Sequence, residues 1–337
     1  MSARPVASII IPTYQRAQFL QDAVTSFCAQ DYDQEFEILV VDNAPSAVLH
    51  DYVASLAGRP GPLVRYVAES RTGLHNARHA GARAARAELL VYADDDVLAG
   101  PGWLAALLAP YCDPAVACTG GKSLPQWETP PPEWASVLYP GIFSLLDYGD
   151  TIRELRWPED LYGCGFSIRR DILFQVGGFH PDGFGNRRLI WYRGDGETGL
   201  LRKVYAAGYK VIYVPSGLLV HRIPATRLTP AYVRQRGFDQ GISDEYSRYR
   251  EKRATVHGLL VAASRAVLSY CYHVVRAATA LCRRDRVAWI KETYWVSNCR
   301  ARTEYRLRLM LDPMLREHVL REDYLEIKGV PDATNRE

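Results

Sequence analysis

The chain has 337 residues, and 48% of them are hydrophobic, which is enough apolar side chain to bury a large core in one or two domains. The formal net charge of only +3 gives no general case for binding nucleic acid. The seven cysteines are widely spaced and form no C-x-x-C pair, so we expect reduced thiols in a cytoplasmic chain, with neither a disulfide framework nor a zinc site. We also expect no signal peptide, because the first residues lead directly into a strand, and no simple membrane-spanning helix, because no run of about 18 uncharged apolar residues occurs.

Apolar runs alternate with helical patterns over the first 120 residues. Short buried runs predict strands over 6–11, 36–41, 63–67, 88–93 and 116–119. Apolar residues at helical spacing predict helices over 16–30, 46–57 and 74–86, and a proline at 101 opens a further helix. This alternation predicts a doubly wound α/β domain, whose usual ligand is a nucleotide.

Three consecutive carboxylates, Asp94, Asp95 and Asp96, follow the fourth predicted strand directly. Ligands of open α/β sheets bind beyond the carboxyl ends of the strands, so the triplet lies where chemistry is expected. Adjacent carboxylates repel one another unless a cation binds them, and their oxygens suit Mg²⁺ or Mn²⁺, which usually also bind substrate phosphates. The triplet therefore predicts a metal site; an acidic turn that caps the next helix is the alternative.

The pattern changes after residue 122. Six prolines and three tryptophans between 122 and 158 predict an irregular segment over the site. Regular patterns return with a strand over 161–168, a helix over 197–207, and strands over 210–214 and 218–220, the last of which ends at His221.

Seven ordered blocks, with a further AGY block downstream, resemble family 2 glycosyltransferases of the GT-A fold. The blocks are 8–16 (SIIIPTYQR), 40–43 (VVDN), 77–81 (ARHAG), 92–96 (YADDD), 163–167 (GCGFS), 176–179 (VGGF) and 194–197 (GDGE), and the downstream block is 207–209 (AGY). The match covers residues 5 to about 225 in the family's order, and the order is far more specific than any single block. The resemblance implies an inverting transfer of a sugar from a nucleotide diphosphate donor, assisted by Mn²⁺ or Mg²⁺.

The same resemblance assigns donor-binding residues. It places the nucleoside on the turn after the first strand and on the acidic end of the second, so Asp42 would accept from a uracil ring nitrogen. An ordinary strand-terminating turn is the alternative for Asp42, and an exposed helical position is the alternative for Arg78, which would otherwise meet the diphosphate. The donor-site set comprises Pro12, Thr13, Tyr14, Arg16, Asp42, Arg78, Asp94 and Asp95.

The resemblance also assigns the metal ligands. Two alignments are open: Asp94 and Asp96 form the outer pair of an Asp-x-Asp motif, or Asp95 and Asp96 are its last residues, so Asp96 is common to both. His221 would add an imidazole ligand, and a merely hydrogen-bonded histidine is the alternative.

The general base is expected at the start of the helix that precedes the AGY block. The family has a Glu-Asp pair there, whereas this chain departs from it with Asp195 and Glu197 separated by one glycine. Counting back from Tyr209 favours Glu197 as the base, with Asp195 as the alternative or as a partner that orients the acceptor. Two acidic residues at a helix N-terminus without a catalytic role are the third reading.

The last third is strongly basic at its start and apolar further on. We divide the chain into a catalytic domain (1–228) and a C-terminal helical region (229–337) that contacts the acceptor, the membrane surface or a second subunit of a homodimer. Residues 259–281 have an apolar helical pattern that Arg265, His273 and Arg276 interrupt. Three arrangements fit it: a helix in a membrane interface, a helix packed on the catalytic domain, and a dimer contact.

Together with these patterns, the resemblance to family 2 glycosyltransferases implies a metal-dependent inverting glycosyltransferase. The expected donor is a nucleotide-diphospho-sugar, with uridine diphosphate favoured, and the expected acceptor is a saccharide or lipid-linked hydroxyl in polysaccharide, glycolipid or other glycoconjugate synthesis. We expect it in the cytoplasm or at the inner face of the membrane. The alternatives are a sugar nucleotidyltransferase, which needs a glycine-rich loop that the Pro12 turn does not provide, and a noncatalytic sugar-nucleotide-binding protein.

Overall fold

A computed structural model describes residues 4–184 and 187–326. The described residues form eleven strands: β1 (Ala7–Thr13), β2 (Phe36–Asp42), β3 (Leu63–Ala68), β4 (Leu89–Ala93), β5 (Val97–Ala99), β6 (Val116–Gly120), β7 (Ser123–Trp127), β8 (Arg153–Leu155), β9 (Gly165–Arg169), β10 (Lys210–Tyr213) and β11 (Leu219–Ile223). The described helices are α1 (Ala17–Cys28), α2 (Ala47–Ala54), α3 (Leu74–Ala84), α4 (Trp103–Leu108), α5 (Glu133–Ser136), α6 (Arg170–Gln175), α7 (Gly196–Ala206), α8 (Pro230–Lys252), α9 (Val256–Cys282), α10 (Arg286–Leu311) and α11 (Pro313–Leu320).

Eight strands form a central mixed sheet in the order β3-β2-β1-β4-β9-β6-β10-β8. Strand β1 is parallel to both β2 and β4, and β9 is antiparallel to β4 and β6. All residues of β1 and β4 are buried, as expected for strands that helices cover on both faces. The predicted α/β alternation is confirmed. The carboxyl ends of β1 and β4 therefore point to one edge of the sheet.

Helical spacing in the sequence corresponds to packing on this sheet. Helix α1 buries Leu20, Ala23, Val24 and Phe27, which lie at positions i, i+3, i+4 and i+7 on one face. The side chains of α1 join a core cluster with Ile9 and Val91 of the sheet. This packing fixes the turns that follow β1 and β4.

A second, three-stranded sheet in the order β5-β11-β7 was not predicted. Strand β5 begins immediately after Asp96 and pairs antiparallel with β11, so that His221 lies opposite Val97. The pairing is long-range and β5 has only three residues, so periodicity could not reveal it. It brings His221 beside the acidic triplet. The segment expected to be irregular contains α5, β7 and β8.

Among the C-terminal helices, α8 and α9 both pack against α10. Helices α8 and α10 approach closely at two glycines: a Cβ atom on Gly237 would lie 2.4 Å from the carbonyl oxygen of Tyr294, and one on Gly241 would lie 2.5 Å from that of Asn298. Helix α8 begins beyond Thr229, whose side chain accepts a hydrogen bond from the backbone N–H of Tyr232.

Helix α9 is, within residues 4–184 and 187–326, the one helix long and apolar enough to cross a membrane by length and composition, with a mean hydropathy of 1.3 in its most apolar window. The sequence prediction of no simple spanning helix relied on the lack of an uncharged apolar run. Helix α9 still meets a criterion of length and average composition, because Arg265 and Arg276 are only two of its 27 residues. Only 17% of that window is buried in the protein.

Candidate active site

A cavity of about 900 Å³ lies at the carboxyl edge of the central sheet, and its size is typical of a small-molecule site. The turn after β1, the segment after β4, the loop over 157–164, the start of α7, β11 and one face of α8 all contribute to its lining. Every predicted site residue except Asp42 lines it, namely Pro12, Thr13, Tyr14, Arg16, Arg78, Asp94, Asp95, Asp96, Asp195, Glu197 and His221. The fold therefore brings together residues that are far apart in the sequence.

Asp95 connects β4 to the turn that follows β1. Its Oδ2 accepts a hydrogen bond from Thr13 Oγ1 at 2.7 Å, and its Oδ1 lies 3.3 Å from Nη1 of Arg16. Burial raises the pKa of Asp95 to about 7, although Arg16 and Thr13 oppose the shift. Pro12 and Tyr14 flank Thr13 on the cavity wall. The middle carboxylate of the triplet thus holds the turn that follows β1.

Asp96 has three cationic or imidazole neighbours. Its Oδ2 accepts from Arg16 at 3.1 Å and from Arg227 at 2.8 Å, and its Oδ1 lies 3.2 Å from Nε2 of His221. Burial alone would raise the pKa of Asp96, but its contact with His221 and the positive charges of Arg227 and Arg16 outweigh burial and hold the pKa below its ordinary value. Asp96 is therefore ionised at neutral pH.

Asp94 is the most open carboxylate of the triplet, with 30% of its side chain exposed. Its Oδ1 lies 3.9 Å from Nη2 of Arg78. Burial and the neighbouring charge of Asp96 raise the pKa of Asp94, while Arg78 opposes the shift. A cation placed between Asp94 and Asp96 would relieve this repulsion.

Asp94, Asp96 and His221 offer carboxylate oxygens and an imidazole nitrogen, which are kinds of donor that divalent metals bind. His221 Nδ1 lies 2.8 Å from the carbonyl oxygen of Phe143, which can only accept, so Nδ1 carries the proton and Nε2 keeps its lone pair. That lone pair accepts from Arg227 Nη1 at 3.0 Å. Metal-binding histidines are commonly oriented by such a backbone carbonyl.

This set is not a closed metal cage. Among the described residues, no group of three or more His, Cys, Asp or Glu side chains is arranged to hold a metal by itself. Mg²⁺ and Mn²⁺ sites of this kind are completed by waters and substrate phosphates, and the guanidinium of Arg227 supplies the positive charge between Asp96 and His221.

Glu197 is the second residue of α7 and joins two other elements. Its Oε2 accepts a hydrogen bond from Arg78 Nη1 at 3.1 Å, and its Oε1 accepts from the backbone N–H of Gly163 at 3.1 Å. Arg78 is buried and lies over the ring of Phe179, 5.0 Å from its centroid. A Cβ atom at Gly163 would lie 2.0 Å from Nη2 of Arg78, so a larger residue there would displace the guanidinium. The alternative of an exposed helical Arg78 is excluded by this burial.

Asp195 has a different environment. Its carboxylate accepts from His180 Nδ1 at 2.6 Å, from Ser247 Oγ at 2.6 Å and from Arg202 Nη2 at 3.2 Å. Burial would raise the pKa of Asp195, but these neighbours outweigh it and lower the pKa below its ordinary value. Burial lowers the pKa of His180 to about 4, so the contact between the two is a hydrogen bond from a neutral imidazole. Asp195 connects α7 to α8.

Asp160 is a cavity carboxylate that sequence reasoning missed. Its Oδ2 accepts a hydrogen bond from Thr198 Oγ1, and its Oδ1 accepts from the backbone N–H of Leu161 at 3.0 Å. Burial and the nearby charge of Glu197 raise its pKa to about 7, against the effect of Thr198. It lies at the end of the irregular segment, where no motif marks it in the sequence.

Asp42 does not line the cavity, and its carboxylate accepts hydrogen bonds from the loop that follows it and from Tyr66 of β3. Its Oδ1 accepts from the backbone N–H of Ala44 at 3.0 Å, and its Oδ2 accepts from the N–H of Ser46 at 3.0 Å and from Tyr66 Oη at 3.1 Å. Asn43 lines the cavity instead. The role of Asp42 in binding a nucleoside stays a prediction.

The comparison with known families accounts for this arrangement. Residues 8–177 match the model of glycosyl transferase family 2, which is half of the chain and includes the β1 turn and the acidic triplet. The chain belongs to glycosyl transferase family 2. The sequence-based identification of the family is therefore confirmed.

Two relatives of this glycosyltransferase have names that state a specific activity. A glucosyl-dolichyl phosphate glucuronosyltransferase of Haloferax volcanii is 26% identical over 246 residues, which cover 70% of this chain and 75% of that protein. A validoxylamine A glucosyltransferase of Streptomyces hygroscopicus subsp. jinggangensis is 35% identical over 167 residues, and these cover 46% of this chain and 38% of that protein.

One solved structure has a similar fold over most of the chain. The mannosyltransferase PcManGT from Pyrobaculum calidifontis, in complex with GDP-Man and Mn²⁺, superposes with a TM-score of 0.57 at 20% identity. The superposition covers 89% of this chain and 88% of that one, so the likeness in fold extends into the C-terminal helices. The expected GT-A architecture with C-terminal helices is confirmed.

The far wall of the cavity in this glycosyltransferase is one face of α8. Its lining residues recur every three or four positions, so they lie on one side of the helix. They are Tyr232, Gln235, Arg236, Asp239, Gln240, Ser243, Asp244, Ser247, Arg248 and Glu251. The spacing was visible in the sequence, but the stretch was interpreted by its positive charge, and its many hydrogen-bonding side chains were overlooked.

Arg193 joins α8 to the loop that contains Asp182. Its guanidinium lies 2.9 Å from Oδ1 of Asp182 and 3.5 Å from Oδ2 of Asp239 on α8. Ser247 of α8 donates a hydrogen bond to Asp195 and so links the helix to the start of α7. Helix α8 is therefore held beside the end of α7 that carries Glu197.

Proposed function

We propose that this glycosyltransferase carries out a metal-dependent, inverting transfer from a nucleotide-diphospho-sugar to a hydroxyl acceptor, with a uridine diphosphate sugar as the favoured donor. The observation that carries the proposal is the meeting of Asp94, Asp96 and His221 with Glu197 in one cavity of about 900 Å³. The product would belong to a polysaccharide, glycolipid or other glycoconjugate.

The donor would occupy the side of the cavity formed by the β1 turn and the triplet. Thr13 and Arg16 are fixed by Asp95, so they would present a preorganised surface to the nucleotide. Asp94, Asp96 and His221 would hold Mn²⁺ or Mg²⁺, which when bound would stabilise the negative charge on the departing diphosphate. Arg78 is held beside Asp94 and would add a fixed positive charge close to the same group.

Glu197 would act as the general base. In the transfer, the acceptor oxygen forms a bond to the anomeric carbon as the bond to the diphosphate breaks, and the hydroxyl proton passes to a carboxylate. Arg78 and Gly163 hold Glu197 in place from two sides, and its 21% exposure leaves the carboxylate accessible from the cavity. Asp195 is saturated by three donors, which favours an orienting role for it.

The acceptor would bind between the α8 wall and the loop over 157–164. Asp239, Gln240 and Arg236 offer donors and acceptors that suit the hydroxyl groups of a saccharide. Trp157 adds an aromatic face with 41% exposure. Under this proposal residues 1–228 form the catalytic domain, and residues 229–337 complete the acceptor side.

A transfer assay with a panel of uridine, guanosine and thymidine diphosphate sugars tests the proposal. We expect turnover with a uridine diphosphate sugar in the presence of Mn²⁺, loss of turnover with a chelator, and an inverted anomeric configuration in the product by NMR. If the protein binds a donor but neither hydrolyses it nor transfers its sugar to any acceptor, a noncatalytic binding protein is favoured. Retention of configuration would contradict the single-displacement mechanism and the role of Glu197.

A further inference from the structure

Helix α9 has two very different faces. One face packs along α10 and buries Leu259, Ala263, Ala266 and Ala280. The opposite face is exposed over the whole length of the helix, about 40 Å at 1.5 Å per residue. The exposures of its large apolar side chains range from 37% at Val261 to 71% at Leu268. These side chains are Val256, Leu260, Val261, Val267, Leu268, Val274, Val275 and Leu281.

The exposed face of α9 is bordered along one edge by two arginines, and its two ends are basic. The helix contains no acidic residue; Arg265 is three positions before Leu268 and so lies beside it at the edge of the face, whereas Arg276 lies about 100° around the helix from Val275. Two basic residues, Lys252 and Arg253, precede the helix, and three more follow it with a single aspartate among them: Arg283, Arg284 and Arg286.

We propose that this face docks onto the surface of a membrane that contains anionic lipid, with α9 lying in the plane of the interface. An apolar strip of this length would bury its side chains at the boundary of headgroups and acyl chains. The basic ends would contact anionic headgroups at the same depth. The surface is hereafter the α9 face, defined by Leu260, Val267, Leu268, Val275 and Leu281.

The contacts on the opposite side of α9 favour an in-plane helix over a spanning one. Glu292 of α10 is buried and accepts from His273 Nδ1 at 2.7 Å and from Arg276 Nε at 2.7 Å. Crossing the bilayer would separate these pairs or carry Glu292 and Arg265 into hydrocarbon, where polar groups without partners are costly. A helix that lies in the plane of the interface keeps both hydrogen bonds to Glu292.

The charges at the ends also argue against a second copy of the chain as the occupant of the α9 face. In an antiparallel pair, Lys252 and Arg253 of one copy would meet Arg283 and Arg284 of the other. In a parallel pair, each basic end would meet itself. Both arrangements bring like charges together, whereas an anionic surface is complementary to both ends at once.

The position of α8 connects this surface to the acceptor. Glu251 lines the cavity, and the next residue, Lys252, is the first of the two basic residues that precede α9. If the proposed function holds, docking would bring the acceptor side of the cavity close to the membrane, as an acceptor anchored in the same membrane requires. This step rests on the proposed function; membrane docking itself does not.

Vesicle co-sedimentation tests the inference with the full-length protein. We expect binding to phosphatidylcholine vesicles that contain phosphatidylglycerol, little binding to phosphatidylcholine alone, and a decrease as salt rises, because exposed charges are screened over about 8 Å at physiological ionic strength. The double variant Leu268→Glu/Val275→Glu should weaken binding to the vesicles at least about tenfold, since it replaces two apolar side chains that the membrane would bury. The control Ile152→Glu changes a similarly exposed apolar residue elsewhere and should bind like the wild type.

Several results would overturn the inference. Equal binding of wild type and the double variant, or no binding at low salt, would remove the α9 face from membrane contact. Protein that stays with vesicles after alkaline carbonate extraction would indicate a spanning helix. A dimer in solution that the double variant disrupts, without vesicle binding, would assign the face to a second copy. Donor binding by the double variant shows that it is folded, and turnover on a soluble acceptor separates failure of docking from failure of the proposed function.

Discussion

Replacing Glu197 by glutamine removes the proposed base and keeps the shape of the side chain. The carboxylate accepts one hydrogen bond from Arg78 and one from the backbone N–H of Gly163. A glutamine amide has only one oxygen, so one of these two donors would face an N–H group and lose its partner. Such a loss costs about 1–3 kcal/mol, which a domain with about 5–15 kcal/mol of stability tolerates in the folded state.

The effect on turnover should be larger than the effect on folding. Loss of a general base lowers the rate about a hundredfold or more, which corresponds to at least about 2.7 kcal/mol in the activation free energy. We expect donor affinity, measured by calorimetry, to stay within about threefold of wild type, because the substitution removes an interaction made mainly in the transition state. Single-turnover transfer to a saccharide acceptor measures the rate.

Two controls decide whether Glu197 acts as a base or only holds Arg78. If it only positions Arg78, then Arg78→Gln should reproduce the defect, and the double variant should be no slower than either single variant. Asp195→Asn is the matched control on the same helix; it should reduce stability but keep turnover within about tenfold, because its carboxylate accepts three structural hydrogen bonds. An inactive but folded Asp195→Asn beside an active Glu197→Gln would refute the assignment.

Three further predictions follow from the same contacts. Asp96→Asn should weaken Mn²⁺-dependent binding of uridine diphosphate at least about tenfold, and calorimetry with unchanged metal dependence would count against Asp96 as a ligand. Asp160→Asn should lower turnover less than Glu197→Gln; the reverse order in the same assay would make Asp160 the base. Burial lowers the pKa of His75 and of His318 to about 4, and that of His79 well below 6.5. Below about pH 6.5 the unfolded chain therefore binds protons that these folded imidazoles and that of His180 do not, whereas Asp95 and Asp160, whose pKa is raised to about 7, bind protons in the folded state and offset two of the four. Stability present at neutral pH should therefore be lost toward pH 4, by up to about 3 kcal/mol per pH unit for two net protons. Urea unfolding at several pH values measures this slope, and a pH-independent midpoint would contradict it.

The parts of the fold that depend on local patterns were predictable from the sequence. Apolar periodicity predicted the first strands and helices. The observed strands begin and end within a few residues of the predicted bounds. The acidic triplet was found because it follows a buried strand directly. In contrast, β5 and its pairing with His221 depend on a long-range contact between 97 and 221, which no local pattern contains.

The different environments of the three carboxylates in the triplet also depend on tertiary structure. Asp94, Asp95 and Asp96 look alike in the sequence, but Asp95 accepts a hydrogen bond from Thr13, whereas Asp94 is the most exposed of the three. Asp160 was missed because its importance comes from burial beside Glu197, not from a motif. The C-terminal helices were predicted as a region, but their roles follow from which face of each helix is exposed.

Binding of uridine diphosphate with and without Mn²⁺ tests the central claim most directly. Calorimetry on the wild-type protein measures it without an acceptor, so the acceptor's identity does not enter. The account predicts tight binding with Mn²⁺, at least about tenfold weaker binding after chelation, and loss of that difference in Asp96→Asn. Binding of uridine diphosphate that is equally strong with and without Mn²⁺ would contradict a metal site built from Asp94, Asp96 and His221.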